Sequence, residues 1–231
     1  MPSMDLLRMD WRDVGFVHWP VDPETVAATL PDGVTVDTYD GRAWLGVVPF
    51  EMADIRPRGS PIGRSFGELN LRTYVTDGET PGVYFYNLDA DDRLSVGIAR
   101  RFFELPYYRA SMEIARRDDE VRFRSRRTDA RAPSANFDAT YGPAVGAEPH
   151  PPEPGSLEAF LVSRYRFYVA DGDGRIYYAD IDHDPWPLQD GTAELRRNDL
   201  FAANGFETPA VDPVVYYSPG ISVTAGRLHR R

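Results

Sequence analysis

The ten residues DIDHDPWPLQ, at 180–189, set one of the chain's four histidines and one of its four tryptophans among three aspartates and two prolines. A second stretch, HWP at 18–20, pairs histidine with tryptophan again. Clustered carboxylates suggest calcium first. A helix-loop-helix calcium site starting at Asp180 needs Gly at its sixth place and Glu at its twelfth. Those places hold Pro185 and Gly191, so the pattern fails and no metal is expected. On a strand, side chains alternate between faces. Asp180, Asp182 and Asp184 then share a solvated face, while Ala179, Ile181 and His183 share an apolar one. His183 therefore points inward, either as a hydrogen-bonded core residue or as an acid–base group. Pro185 and Pro187 fix two backbone angles and remove two amide donors, which should end the strand and leave Trp186 to pack.

A second constellation is ELNLRTY at 68–74. Alternation puts Glu68, Asn70, Arg72 and Tyr74 on one face, with Leu69, Leu71 and Val75 on the other. The polar face is either solvated or the wall of a cavity. In a cavity, Glu68 and Arg72 flank Asn70 and could aim at one bound group, and arginine clamps carboxylates through paired hydrogen bonds. The neighbouring strands are rich in Tyr and Phe and should be covered, which favours the cavity. GRSFG at 63–67 has the spacing of a serine-hydrolase elbow, but that elbow needs a strand before the serine and a helix after it. Here a Pro/Gly loop precedes Ser65 and a strand follows, so a nucleophilic Ser65 is not expected.

Composition removes whole classes of chemistry. There is no cysteine, hence no disulfide, thiolate nucleophile or cysteine metal site. All 26 basic residues are arginine. Without a lysine amine there is no side chain to form a Schiff base, anchor pyridoxal phosphate or serve a phosphate loop; only the α-amine of Met1 could react as an amine. No cofactor is expected. The 36 acidic residues give a formal charge of −10, which disfavours nucleic acid. Acid-rich, lysine-free composition fits a salt-loving host, where molar salt screens self-repulsion; arginine codons in a high-GC genome would give the same lysine deficit. The chain has no apolar run near the roughly 18 residues of a membrane span, and MPSMDLLRMDWRD lacks the layout of a secretory signal. A soluble cytoplasmic protein without membrane association is expected.

The elements that must carry these residues are mostly strands. VTVDTYDGRAWLGVVPF reads as a hairpin around Asp40-Gly41. GELNLRTYVT and GVYFYNLDA are strands; YYRASMEIARRDDEVRFRSRR is a hairpin turning near Asp118-Asp119; RFYVADGDGRIYYADID is another, turning through Gly172–Gly174. Helices are short. Asp22 caps one and Pro23 opens it. Another follows Gly155-Ser156, and one ends at Gly205. Leu94, Ile98 and Phe102 mark a further helical face. The Pro/Ala/Gly-rich stretch 128–155 is the one candidate linker, but neither side of it reads as a complete domain, so residues 1–231 are taken as one domain. The class is α+β, mainly antiparallel β, around a closed or nearly closed sheet.

The blocks HWPV, YDGRAWLGVVPF, ELNLRTYV, GVYFYNLDA, ARRFFELPYYRASM, GSLEAFLVSRY and HDPWPLQ, from about residue 8 to the C-terminus, resemble the YqjF-like family, a domain of unknown function. That family is similar in fold to acetoacetate decarboxylase, which implies an antiparallel β-barrel or cone with an internal cavity. The resemblance implies that FFELPYYRA matches the decarboxylases' reactive-lysine step, with Tyr107 and Tyr108 after Pro106 in place of the lysine pair, and that Glu68 matches their nearby acidic residue. The cavity can be inherited; the Schiff-base chemistry cannot. Glu68, Asn70, Arg72, Tyr107, Tyr108 and His183 are the expected ligand-binding residues, with Glu68, Tyr107 and His183 the catalytic candidates. Three functions follow, in this order: binding of a small carboxylate or carbonyl compound, lysine-independent acid–base catalysis on small keto or carboxylic acids, and a structural or partner-binding role with a packed, ligand-free barrel.

Overall fold

The computed structural model describes residues 6–92 and 106–231. The expected helix around Leu94, Ile98 and Phe102 lies outside the described residues. The strands are β1 (Leu7–Val21), β2 (Thr35–Val36), β3 (Ala43–Pro57), β4 (Arg64–Thr76), β5 (Pro81–Ala90), β6 (Tyr107–Arg117), β7 (Glu120–Arg127), β8 (Asn136–Pro143), β9 (Arg166–Ala170), β10 (Ile176–His183), β11 (Gln189–Asn198), β12 (Val214–Ala225) and β13 (His229–Arg230). The described residues form three short helices, α1 (Pro23–Ala27), α2 (Leu157–Val162) and α3 (Leu200–Ala203). Among the described residues no helix is long and apolar enough to cross a membrane.

All strands join one hydrogen-bonded sheet that closes on itself. The circuit β5-β6-β7-β8-β11-β12-β1-β3-β4 returns to β5 and makes a nine-strand barrel. The sheet also forks. The first half of β5 pairs with β9 and its second half with β6, both in parallel. Likewise β12 meets β11 near Tyr216 and β10 near Val223. A shorter circuit, β4-β5-β9-β10-β12-β1-β3, therefore closes on the other side of the shared wall. Bulges let the long strands curve: β1 and β3 change register between Arg12 and Val17, and Asp13 and Asp54 take positive φ there and just beyond.

Alternation along the shared wall feeds two cores. Phe16, Val48, Phe50 and Met52 enter one cluster, with Phe167, Trp186 and Val223. Val17, Leu45, Val47, Leu69 and Leu71 enter the other, with Phe123, Phe137 and Tyr141. The period of two assigns each wall residue to one side or the other.

The cap residues behave as read: Asp22 Oδ1 accepts from the Glu24 amide at 2.9 Å, Ser156 Oγ from the Ala159 amide at 3.1 Å, and Gly205 takes φ +80° after α3. Two local readings need correction. Tyr39 and Arg42 do bridge across the Asp40-Gly41 turn, but the ladder goes no further, because β1 and β4 occupy both edges of β3. β2 pairs with β4 instead. The supposed linker 128–155 contains β8, which lies between β7 and β11 and buries Phe137, Ala139 and Tyr141. As the sequence pattern predicts, Ser65 is not at a strand-to-helix elbow: it sits within β4, its Oγ accepting from the Asp54 amide at 3.2 Å.

Candidate functional site

The shorter circuit encloses a cavity of about 400 Å³. Its polar lining runs along β4. Arg64 stands at the exposed mouth with Ile62 and Pro57, and Glu68, Asn70 and Arg72 follow inward. These three are 3%, 3% and 7% exposed, so the polar face of β4 is a cavity wall and not a solvated surface. The rest of the wall is largely apolar, with Val48, Phe50, Met52, Val83, Phe85 and Phe167 prominent.

Midway along, the Tyr107 hydroxyl donates to Glu68 Oε2 at 2.6 Å. Tyr107 reaches it because β6 joins β5 at Leu88↔Tyr107, and Leu88 lies opposite Asn70. The Asn70 side chain also hydrogen-bonds the Glu68 carboxyl. Among the described residues Asn70 Oδ1 has no partner. Burial pushes Glu68 from its ordinary 4.5 up to about 7, against the opposing pull of the Tyr107 and Asn70 hydrogen bonds. Burial and the adjoining carboxylate raise Tyr107 well above 10, so it acts here as a donor.

Arg72 marks the deep end. Its Nη2 donates to the Leu161 carbonyl at 3.0 Å and to the Tyr74 hydroxyl at 3.4 Å, and its guanidinium lies 5.5 Å from the Phe16 ring centre and 5.7 Å from that of Tyr74. Its Nε has no partner, and no carboxylate lies within ion-pairing distance of it, among the described residues. The other deep arginine differs: Arg164 pairs with Asp37 at 2.6 Å and donates to the Phe160 carbonyl at 2.7 Å. Helix α2 ties this end together. Its last carbonyls, orphaned at a helix terminus, accept from Arg164 at Phe160, from Arg72 and Tyr74 at Leu161, and from Trp186 Nε1 at Val162.

Behind Arg72, the Tyr74 hydroxyl lies 2.8 Å from the Leu161 carbonyl and shares a 2.7 Å hydrogen bond with His18 Nε2. His18, Gly46 and Arg72 form one cross-strand row. A Cβ at Gly46 would come within 2.6 Å of His18 Nε2, so only glycine leaves room for the imidazole. Complete burial, with Arg72 nearby, holds His18 well below its ordinary pKa of 6.5 and therefore neutral.

His183 lines the cavity, as does Ile181, and their strand ends at His183. The ring stacks on Tyr165 at 4.7 Å, and Nδ1 donates to the Asp184 carbonyl at 2.7 Å. Burial lowers its pKa. Trp186 is 2% exposed and edge-on to Phe16 at 5.0 Å, a core residue that forms part of the cavity wall.

Glu68, Asn70, Arg72, Tyr107 and His183 thus share one cavity; Tyr108 does not. The sequence reading grouped it with Tyr107, but neighbours on a strand face opposite ways, and the Tyr108 ring packs under Arg127 at 4.8 Å. The sequence reading missed His18 and Arg164. The HWP stretch was the one sign of His18, and nothing local marked Arg164.

A doubly closed barrel with a cavity behind its shared wall defines an acetoacetate decarboxylase-like fold. Acetoacetate decarboxylase from Legionella pneumophila superposes with a TM-score of 0.64 over 98% of this chain and 87% of its own, at 14% identity. The enduracididine biosynthesis enzyme MppR, complexed with pyruvate, superposes with a TM-score of 0.67 over 100% of this chain and 91% of its own, also at 14% identity. At such identities the likeness is one of fold. Residues 8–222 match the DUF2071 family, described as an uncharacterized conserved protein, and the chain belongs to that family. The uncharacterized protein YqjF of Bacillus subtilis (strain 168) is 41% identical over 216 residues, covering 92% of this chain and 87% of the relative.

Proposed function

We propose that the protein binds a small carboxylate or carbonyl compound in the barrel cavity, with a carboxylate seated on Arg72. The carrying observation is the state of that arginine: 7% exposed, facing a cavity, and held among the described residues by the Leu161 carbonyl, the Tyr74 hydroxyl and two aromatic rings, with no carboxylate beside it. A buried cation needs a counter-charge to offset its lost hydration. A ligand carboxylate reaching the guanidinium would supply one through charge-assisted hydrogen bonds. The fold relative MppR, complexed with pyruvate, supports the reading by analogy. The test is titration of a panel of carboxylates and their neutral amides into wild-type protein and the Arg72→Gln variant, by calorimetry and native mass spectrometry. Wild type should bind at least one acid and not its amide, and the variant should lose about tenfold or more in affinity. Absence of any acid binding, or equal binding to the variant, overturns the proposal.

A second reading, lysine-independent acid–base catalysis, is favoured by Glu68. A carboxyl raised to about 7 can give or take a proton near neutrality. Proton–deuterium exchange next to the carbonyl of a bound keto acid, followed by NMR, tests it. Wild type should accelerate the exchange, Glu68→Gln should abolish it, and His183→Gln should alter its pH profile if His183 takes part. No exchange above buffer leaves binding as the function.

A further inference from the structure

The size and lining of the cavity narrow the ligand class, an inference that rests on the anion-binding reading of Arg72. Apolar cavities of about 150 Å³ hold benzene, so about 400 Å³ admits roughly sixteen heavy atoms. Pyruvate or acetoacetate would fill less than half and leave Val48, Phe50, Met52 and Phe85 facing a void. Strands rise about 3.3 Å per residue, which puts Glu68 about 13 Å and Arg64 about 26 Å from Arg72 along β4. The space is therefore long, with its unneutralised cation at the buried end.

The mouth carries a different signature. Ile62 is 77% exposed, with Leu7, Ile55 and Pro57 beside it on the lining. Two arginines stand there, but each has a carboxylate: Arg56 meets Asp54 at 3.3 Å and Arg64 meets Asp92 at 2.6 Å. Among the described residues a second ligand carboxylate would find no uncommitted cation at the mouth and would have to lie near or pass Glu68. An apolar tail would find a matching wall throughout.

We infer that the occupant is an amphipathic monocarboxylate of roughly ten to sixteen heavy atoms, aliphatic or aromatic, lying head-down with its carboxylate on Arg72 and its apolar body directed along the barrel toward the mouth. Glu68, Tyr107 and Asn70 would then flank the body of the ligand, about 7–13 Å from the head by strand spacing.

The experiment is calorimetric titration of butyrate, hexanoate, octanoate, decanoate and dodecanoate, with suberate as the two-headed control. Each added methylene should tighten binding about fourfold until the chain fills the cavity. Suberate should bind more weakly than octanoate, and Val48→Phe, which narrows the belt, should weaken dodecanoate while sparing butyrate. Acids of all lengths binding alike, with affinity still lost in Arg72→Gln, would overturn the chain-length inference and leave the anion site standing. Binding that ignores Arg72, or no binding at any length, would overturn both.

Discussion

Glu68→Gln separates a carboxyl held largely protonated by burial from one that is ionised and structural. Glu68 is 3% exposed, and its pKa rises from 4.5 to about 7 on folding. Between those values the native state holds more protons than the unfolded chain, so stability falls as pH rises. At about 1.4 kcal/mol per pH unit of displacement, ionisation costs the fold about 3 kcal/mol. That cost is absent below about pH 4, builds between pH 4.5 and 7, and is complete by about pH 8. Gln keeps the shape and can accept from Tyr107, while Asn70 Oδ1, without a partner in the native site, can accept from the new amide. Urea denaturation of both proteins at intervals from pH 4 to 9 gives the difference curve. Asp89, raised to about 6 mainly by burial, titrates in both proteins and cancels. The variant should gain about 3 kcal/mol on wild type between the acid and alkaline ends. A flat difference curve, or a variant that loses ground as pH rises, would refute the assignment.

Trp186→Ala should cost about 3–5 kcal/mol in urea denaturation, from lost packing against Phe16 and from the Val162 carbonyl left without its indole donor; a cost below about 1 kcal/mol would show that the wall does not depend on this ring. Borohydride reduction in the presence of ketone substrates should leave every internal residue unmodified by intact-mass and peptide analysis, because the chain has no lysine; an adduct mapped to an internal side chain contradicts that. Melting temperature should climb from low to molar potassium chloride as the −10 charge is screened; a fall would remove the salt-loving reading.

Much of the cavity wall was legible because strand alternation is local. Glu68, Asn70 and Arg72 share a face whatever surrounds β4, and the same rule turned His183 inward beside Ile181. Caps and tight turns were equally local: Asp22, Ser156, Gly205 and the Asp118-Asp119 turn depend on a few neighbouring residues. The missing lysine ruled out Schiff-base chemistry on a side chain without any geometry. Alternation does not say which face becomes interior, nor which edge a strand finds. The fork at β5 and β12 decided that, drawing β8 out of an apparent linker and leaving Tyr108 outside the cavity with Tyr107 inside. The deep end is the least local part of the site. His18 meets Tyr74 across 56 positions, and Arg72 meets the Leu161 carbonyl across 89. Contacts of that span exist only once the barrel has closed, since closure brings β1, β4 and the end of α2 to one point and makes a buried carbonyl the nearest partner for a buried cation.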